Sequence, residues 1–134
     1  MAFLPDTNVW ISLLKKPGGD LTAKVQSQPV VAIFFCSVVK AELLHGAEKY
    51  GNRERRLRAL AMLFFAPFAS LPFDDAAAPH YAALRHQLEI AGHIVGPNDL
   101  QIAAIALTHG LTLVSADSGF VRVPGLTVED WTKS

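Results

Sequence analysis

The chain has 134 residues, of which 51% are hydrophobic and 18% charged. That is the size of one ordinary domain, residues 1–134, with enough apolar material for a core and too much for intrinsic disorder. Twelve Lys and Arg balance twelve Asp and Glu, which argues against a polybasic nucleic-acid binder, and the single cysteine, Cys36, excludes a disulfide framework or a cysteine-cluster zinc site.

In chain order, Ala2–Pro5 is predicted as a short buried strand, ended by the turn and cap residues Asp6-Thr7-Asn8. Val9–Leu14 is predicted as a short helix, with Lys15 and Lys16 behind it and Pro17-Gly18-Gly19 as its stop. The start of the chain lacks the basic lead of a signal peptide. Leu21–Gln28 is a second short helix and Val31–Cys36, β-branched and aromatic, a buried strand. Ser37 is expected to cap a helix over Val38–Tyr50, with Val38, Ala41, Leu44 and Ala47 at helical spacing. Arg53–Phe65 is a further helix, basic at its start, apolar at its end and closed by Pro67.

Ser70–Phe73 is a candidate strand. The helix behind Asp74-Asp75 reaches Ala91 and must hold Pro79 in its first turn. Asn98 is expected to cap Asp99–His109, which Gly110 ends; Leu111–Ser115 and Leu126–Val128 complete the strands. The longest apolar stretches, 30–39 and 59–73, are short or interrupted by Pro67, Ser70 and Pro72, against the roughly 20 residues a bilayer span needs. A soluble protein of the reducing cytoplasm is expected.

Strands separated by helices predict an α/β domain, a mostly parallel sheet with helices on both faces. In such sheets ligands bind outside the carboxyl ends of the strands. Asp6 follows the first strand directly and Asp117 follows the Leu111–Ser115 strand after one residue, which puts both on one edge. Helices starting at that edge bring Glu42 and Asp99 over it. Each acid alone has a plain structural use: Asp6 as a cap, Asp99 as a complement to the helix dipole, Asp117 in a turn with Ser118-Gly119, Glu42 as a partner for Lys40 or His45. Together they repel, and a cation is expected among them. Hard oxygen ligands suit Mg²⁺ or Mn²⁺, a site able to drive in-line phosphoryl displacement.

The blocks Phe3–Trp10, Ser37–Gly46, Gly96–Ala104 and Leu113–Asp117, with the ending Val123–Leu126 and Glu129–Trp131, strongly resemble PIN-domain toxins of the VapC family in order and spacing along the full length. The resemblance implies a PIN-like doubly wound fold and a Mg²⁺- or Mn²⁺-dependent endoribonuclease, the toxin of a type II toxin–antitoxin pair, acting on tRNA or ribosomal RNA and leaving a 5′-phosphate and a 3′-hydroxyl. It also implies a cognate VapB-like antitoxin with a DNA-binding domain. Asp6, Glu42, Asp99 and Asp117 match its metal-site and catalytic positions, Thr7, Asn8 and Ser115 the supporting polar ones. Three departures stand out. Pro5 should remove a ladder hydrogen bond just before Asp6, Ile105 stands where relatives often carry His, and the Asp117 segment is about a residue short before Phe120.

RNA reaching an acidic pocket needs positive charge around it, and Lys15, Lys40 and the run Arg53, Arg55, Arg56 and Arg58 are the candidate backbone contacts. A solvated helix face paired with Glu48 and Glu54 is the competing reading of that run. The stripe Leu57, Leu60, Leu63, Phe64, Phe65 and Phe68 exceeds one buried face, so part of it is a candidate homodimer interface or antitoxin groove. Receiver domains and haloacid-dehalogenase phosphatases fit poorly. The former want paired acids after the first strand and a late Lys, the latter Asp-x-Asp, where this chain has Asn8. A non-catalytic PIN-like module that binds RNA or protein stays open as the alternative.

Overall fold

The computed structural model describes residues 1–133. Strand β1 (Phe3–Pro5) is buried throughout and leads into helices α1 (Thr7–Lys15) and α2 (Asp20–Gln26). A single 3-10 turn, Val30–Ala32, precedes β2 (Phe34–Cys36). Helix α3 (Ser37–Lys49) follows without a break, then α4 (Arg53–Leu60), β3 (Ala69–Leu71), α5 (Ala78–Ile90), α6 (Pro97–His109), β4 (Thr112–Val114), a 3-10 segment Ser118–Arg122 and β5 (Val128–Glu129).

Every strand pairing is parallel: β1 with β4, β4 with β5, and β2 with β3. The three-stranded and two-stranded sheets meet at one parallel bridge, Phe3 to Ile33. The resulting order, β3-β2-β1-β4-β5, reverses direction between β1 and β4. Right-handed crossovers send the helices before and after that reversal to opposite faces, which is the doubly wound arrangement. A crevice opens where the order reverses, at the carboxyl ends of β1 and β4.

Pro5 sits where its lack of an N–H matters little. The Thr112 N–H donates to Ala2 O and the Asp6 N–H to Val114 O, each at 2.9 Å. By alternation, the even-numbered residues of β1 face β4 and the Pro5 nitrogen faces β2, where pairing has shrunk to the Phe3–Ile33 bridge. The expected loss therefore falls on the junction between the two sheets and spares the β1–β4 ladder that aims Asp6.

Several boundaries differ from expectation. Cys36, not Ser37, is the N-cap of α3. Ser37 is its first residue, and its hydroxyl accepts the Phe73 N–H at 3.1 Å, so the serine ties α3 to the chain leaving β3. The buried face of α3 is Val38, Val39, Leu43 and Ala47; Ala41 and Leu44 face outward. The strict three-residue spacing read from the sequence drifts off a 3.6-residue helix, whereas 39, 43 and 47 track it. Gly96, not Asn98, caps α6, because Pro97 takes the first helical position its fixed φ suits.

The helix expected over Arg53–Phe65 is continuous, but Ala61–Phe65 is π-helical, closed by Ala66 N–H to Ala61 O at 2.9 Å. The wider turn brings Phe64 into the core and leaves Met62 and Leu63 exposed. Trp10, fully buried, stacks on Phe35 with ring centroids 4.0 Å apart and touches Phe64 and Phe68. Trp10 is thus a core residue joining α1, β2 and the π turn, and its indole donates to Pro5 O at 3.2 Å. Cys36 is buried in β2, and burial pushes its thiol pKa up to about 11, which makes it inert. Among the described residues no helix is long and apolar enough to cross a membrane.

Candidate active site

An open cleft of ≈ 460 Å³ lies at the reversal point, lined by Asp6, Thr7, Asn8, Ile11, Glu42, His45, Asn98, Asp99 and Asp117. All four acids singled out in the sequence line it. They arrive from four elements: the end of β1, the second turn of α3, the first turn of α6 and the loop after β4.

Asp6 is the most constrained. Its backbone N–H extends the β1–β4 ladder, Oδ1 accepts the Val9 N–H at 3.0 Å as the cap of α1, and Oδ2 accepts the Ser115 hydroxyl. Capping and site membership are therefore the same geometry, because the cap fixes the carboxylate at the sheet edge. Ser115 also accepts the Asp117 N–H through its hydroxyl oxygen at 3.0 Å, so one buried serine links the two acids. Asp117 in turn accepts the Gly119 N–H at 2.8 Å. A Cβ at Gly119 would stand 3.2 Å from Asp117 Oδ1, so a larger residue there crowds the carboxylate. Thr7 donates its hydroxyl to Glu42 Oε1 at 2.7 Å, joining the start of α1 to α3.

The electrostatics are one-sided. Among the described residues no Lys or Arg lines the cleft, and the ion pairs lie elsewhere. Burial holds the Asp6 carboxyl above its ordinary pKa; the Ser115 and Val9 hydrogen bonds oppose this, and the charges of Asp117 and Glu42 add to it. Asp99 is raised by burial and then by Asp117, Glu42 and Asp6. Asp6 and Asp99 thus feel the neighbouring acids as uncompensated charge.

A divalent cation is the complement such a set calls for: oxygen donors only, clustered, and without basic partners. Among the described residues no three His, Cys, Asp or Glu side chains stand close enough to chelate one ion as placed. Asp6, Glu42, Asp99 and Asp117 nonetheless line one open cleft with carboxylate oxygens alone, so the donor chemistry fits the group.

The supporting residues separate into two kinds. Thr7 and Ser115 hold carboxylates, while Asn8 is exposed at the rim. None of Lys15, Lys40, Arg53, Arg55, Arg56 and Arg58 lines the cleft. Arg53 pairs with Glu48 at 2.6 Å, Arg56 donates to Gly51 O at 2.7 Å, and the Lys40 ammonium lies 4.9 Å from the Phe65 ring centroid. Asn98, read from the sequence as a cap, lines the cleft. With Pro97 and Gly96 recognised as the start of the helix, its place beside Asp99 would have been visible.

A family model described as PIN domain matches residues 3–126. The tRNA(fMet)-specific endonuclease VapC of Shigella flexneri is 36% identical over 134 aligned residues, covering 98% of this chain and 99% of the relative. Ribonuclease VapC2 of Haemophilus influenzae is 31% identical, covering 98% of each chain. Among solved structures, DNA-bound VapBC from Salmonella typhimurium is similar with a TM-score of 0.90 and 32% identity over 98% of each chain. VapBC2 from Rickettsia felis, bound to a DNA fragment from its promoter, has a TM-score of 0.89 and 29% identity, covering 98% of this chain and 99% of the other.

Proposed function

Because this chain belongs to the PIN-domain family and, within it, to the VapC ribonucleases, we propose that it is a Mg²⁺- or Mn²⁺-dependent endoribonuclease whose site is Asp6, Glu42, Asp99 and Asp117. The observation that carries this reading is one cleft lined by four carboxylates and by no Lys or Arg. A non-catalytic module would have no use for four acids in one crevice, where burial and the neighbouring charges hold Asp6 and Asp99 above their ordinary pKa.

Asp6, Asp99 and Asp117, with Glu42 beside them, would hold the cation. When bound, it supplies charge neutralisation at the phosphate and acidifies water for attack. The chain's own residues supply positioning. Asp6 is locked by the α1 cap and Ser115, and gives the cluster a fixed point. Thr7 occupies Glu42 Oε1 and leaves Oε2 free to orient the attacking water and accept its proton. Water adds in line to phosphorus, the bond from phosphorus to the 3′ oxygen breaks, and that oxygen takes a proton from solvent to leave as a 3′-hydroxyl opposite a 5′-phosphate.

The name of the 36% identical relative makes tRNA, and the initiator tRNA first, the substrate we favour over ribosomal RNA. VapBC complexes among the similar structures, two of them bound to DNA, support a VapB-like antitoxin with a DNA-binding domain as partner. Exposed Met62 and Leu63 leave apolar surface for a homodimer. We place the enzyme in the cytoplasm, where its RNA is, with residues 1–134 as one domain; the buried residues form one continuous core. Sequencing RNA ends after incubation of antitoxin-free protein with bulk tRNA and ribosomal RNA tests the reading. Cuts at defined tRNA positions with 5′-phosphate ends are expected; no divalent-dependent cuts in either RNA would refute it.

A further inference from the structure

Four of the lining residues carry negative charge, and an RNA strand brings one more with each phosphate. A cation among the acids offsets the phosphate under attack but not its neighbours along the strand. No Lys or Arg lines the cleft to meet them. Thr7 has already committed its hydroxyl proton to Glu42. Of the remaining lining groups, the His45 ring offers an N–H donor on the same helix as Glu42.

His45 lies three residues beyond Glu42 on α3, so the two side chains share a helix face. It is exposed, and it enters none of the ion pairs among the described residues. Its ring therefore has no structural task that competes with a ligand. Because α3 is anchored by its buried face of Val38, Val39, Leu43 and Ala47, the register between Glu42 and His45 is rigid.

We propose that His45 is a substrate-positioning residue: its ring donates to an RNA phosphate adjacent to the one being cleaved and sets the strand's register over Glu42. The proposal rests on the ribonuclease reading above and adds to it the residue that holds the strand. A group that binds a flanking phosphate acts on ground state and transition state alike, so its loss raises KM more than it lowers kcat.

The test uses an initiator tRNA transcript and the antitoxin-free chain, with wild type, H45A and H45Q compared by steady-state cleavage. The same RNA is also bound in chelator, where it is not cut, and read by fluorescence anisotropy. H45A is expected to raise KM about five- to tenfold with kcat within about threefold of wild type, and to weaken chelated binding by a similar factor. H45Q, which keeps a donor, should recover at least half of the lost affinity. Unchanged KM and binding in H45A would overturn the proposal, as would a kcat loss with KM unchanged. Wild type failing to cut the transcript and bulk tRNA would instead strike the ribonuclease reading itself.

Discussion

The acidic cleft and the basic shoulder of α4 handle charge in opposite ways, although α3 runs into both. In the cleft, Asp6 is buried, Glu42 and Asp99 are half-buried and Asp117 is exposed, and the hydrogen bonds they accept come from uncharged donors: Ser115, Thr7 and the Val9 and Gly119 amides. On the shoulder, exposed charges find one another, as Arg53 does with Glu48, while the half-buried Lys40 of α3 lies against the Phe65 ring. The shoulder is what a solvated surface looks like, where exposed pairs add little to stability. The cleft keeps ionisable groups that cost the fold something, as the raised pKa values of Asp6 and Asp99 record. Formal neutrality thus conceals segregation: removing the four cleft acids leaves eight acids against twelve basic residues.

Breaking the cleft should have the largest consequence. D6N is expected to reduce RNA cleavage by about a hundredfold or more with an unaltered circular dichroism spectrum, since asparagine can keep the cap of α1. Divalent cation should also stabilise the fold. At a hundredfold excess over its Kd, Mg²⁺ adds about 2.7 kcal/mol, or roughly 5–10 °C in Tm, and D99N should forfeit most of that shift in a thermal melt.

The same acids set a pH dependence in chelator. Asp6 and Asp99 ionise near 3.8 when unfolded and at higher pH when folded, so the unfolded chain gives up its protons first. The stability they contribute is full below the unfolded pKa and is lost as pH rises through the folded one. The Tm of D6N should therefore gain on chelated wild type as pH rises above about 4, and Mn²⁺ or Mg²⁺ should close the gap.

Smaller effects sharpen the contrast. T7V removes the hydroxyl that holds Glu42 and should cost about 1 kcal/mol of stability and about tenfold in kcat. R55E/R58E on the shoulder should shift the KM for tRNA a few-fold and reduce its salt dependence while leaving kcat alone. A kcat loss there would mean that the two regions are not separate.

Three of the four acids are legible in the sequence because each stands beside a boundary that local chemistry marks: Asp6 at the end of a strand, Asp99 at a helix start and Asp117 at a strand-to-turn step. Glu42, in the second turn of α3, shows only as an acid among apolar helix residues. Their partners were harder to see. That Ser115 links Asp6 to Asp117 depends on β1 and β4 being neighbours across more than a hundred residues. Asn98 is not the cap its sequence suggests, because Gly96 and Pro97 start α6 two residues earlier. The π turn at Ala61–Phe65 has no periodic signature, since it arises from fitting Phe64 against Trp10 and Phe35. The basic residues were placed near the site on charge alone, and charge carries no direction. His45 could be found as Glu42's neighbour one turn on, but only the cleft shows that it has no competing partner.

The most direct test is the rate of tRNA cleavage as chelated wild-type protein and D99N are titrated with Mg²⁺ side by side. Wild type should be inactive in chelator and rise to a plateau with Mg²⁺, while D99N stays near baseline at every concentration. Equal rates for the two proteins, or cleavage undiminished by chelator, would contradict the assignment of this acidic cleft as a metal-dependent ribonuclease site.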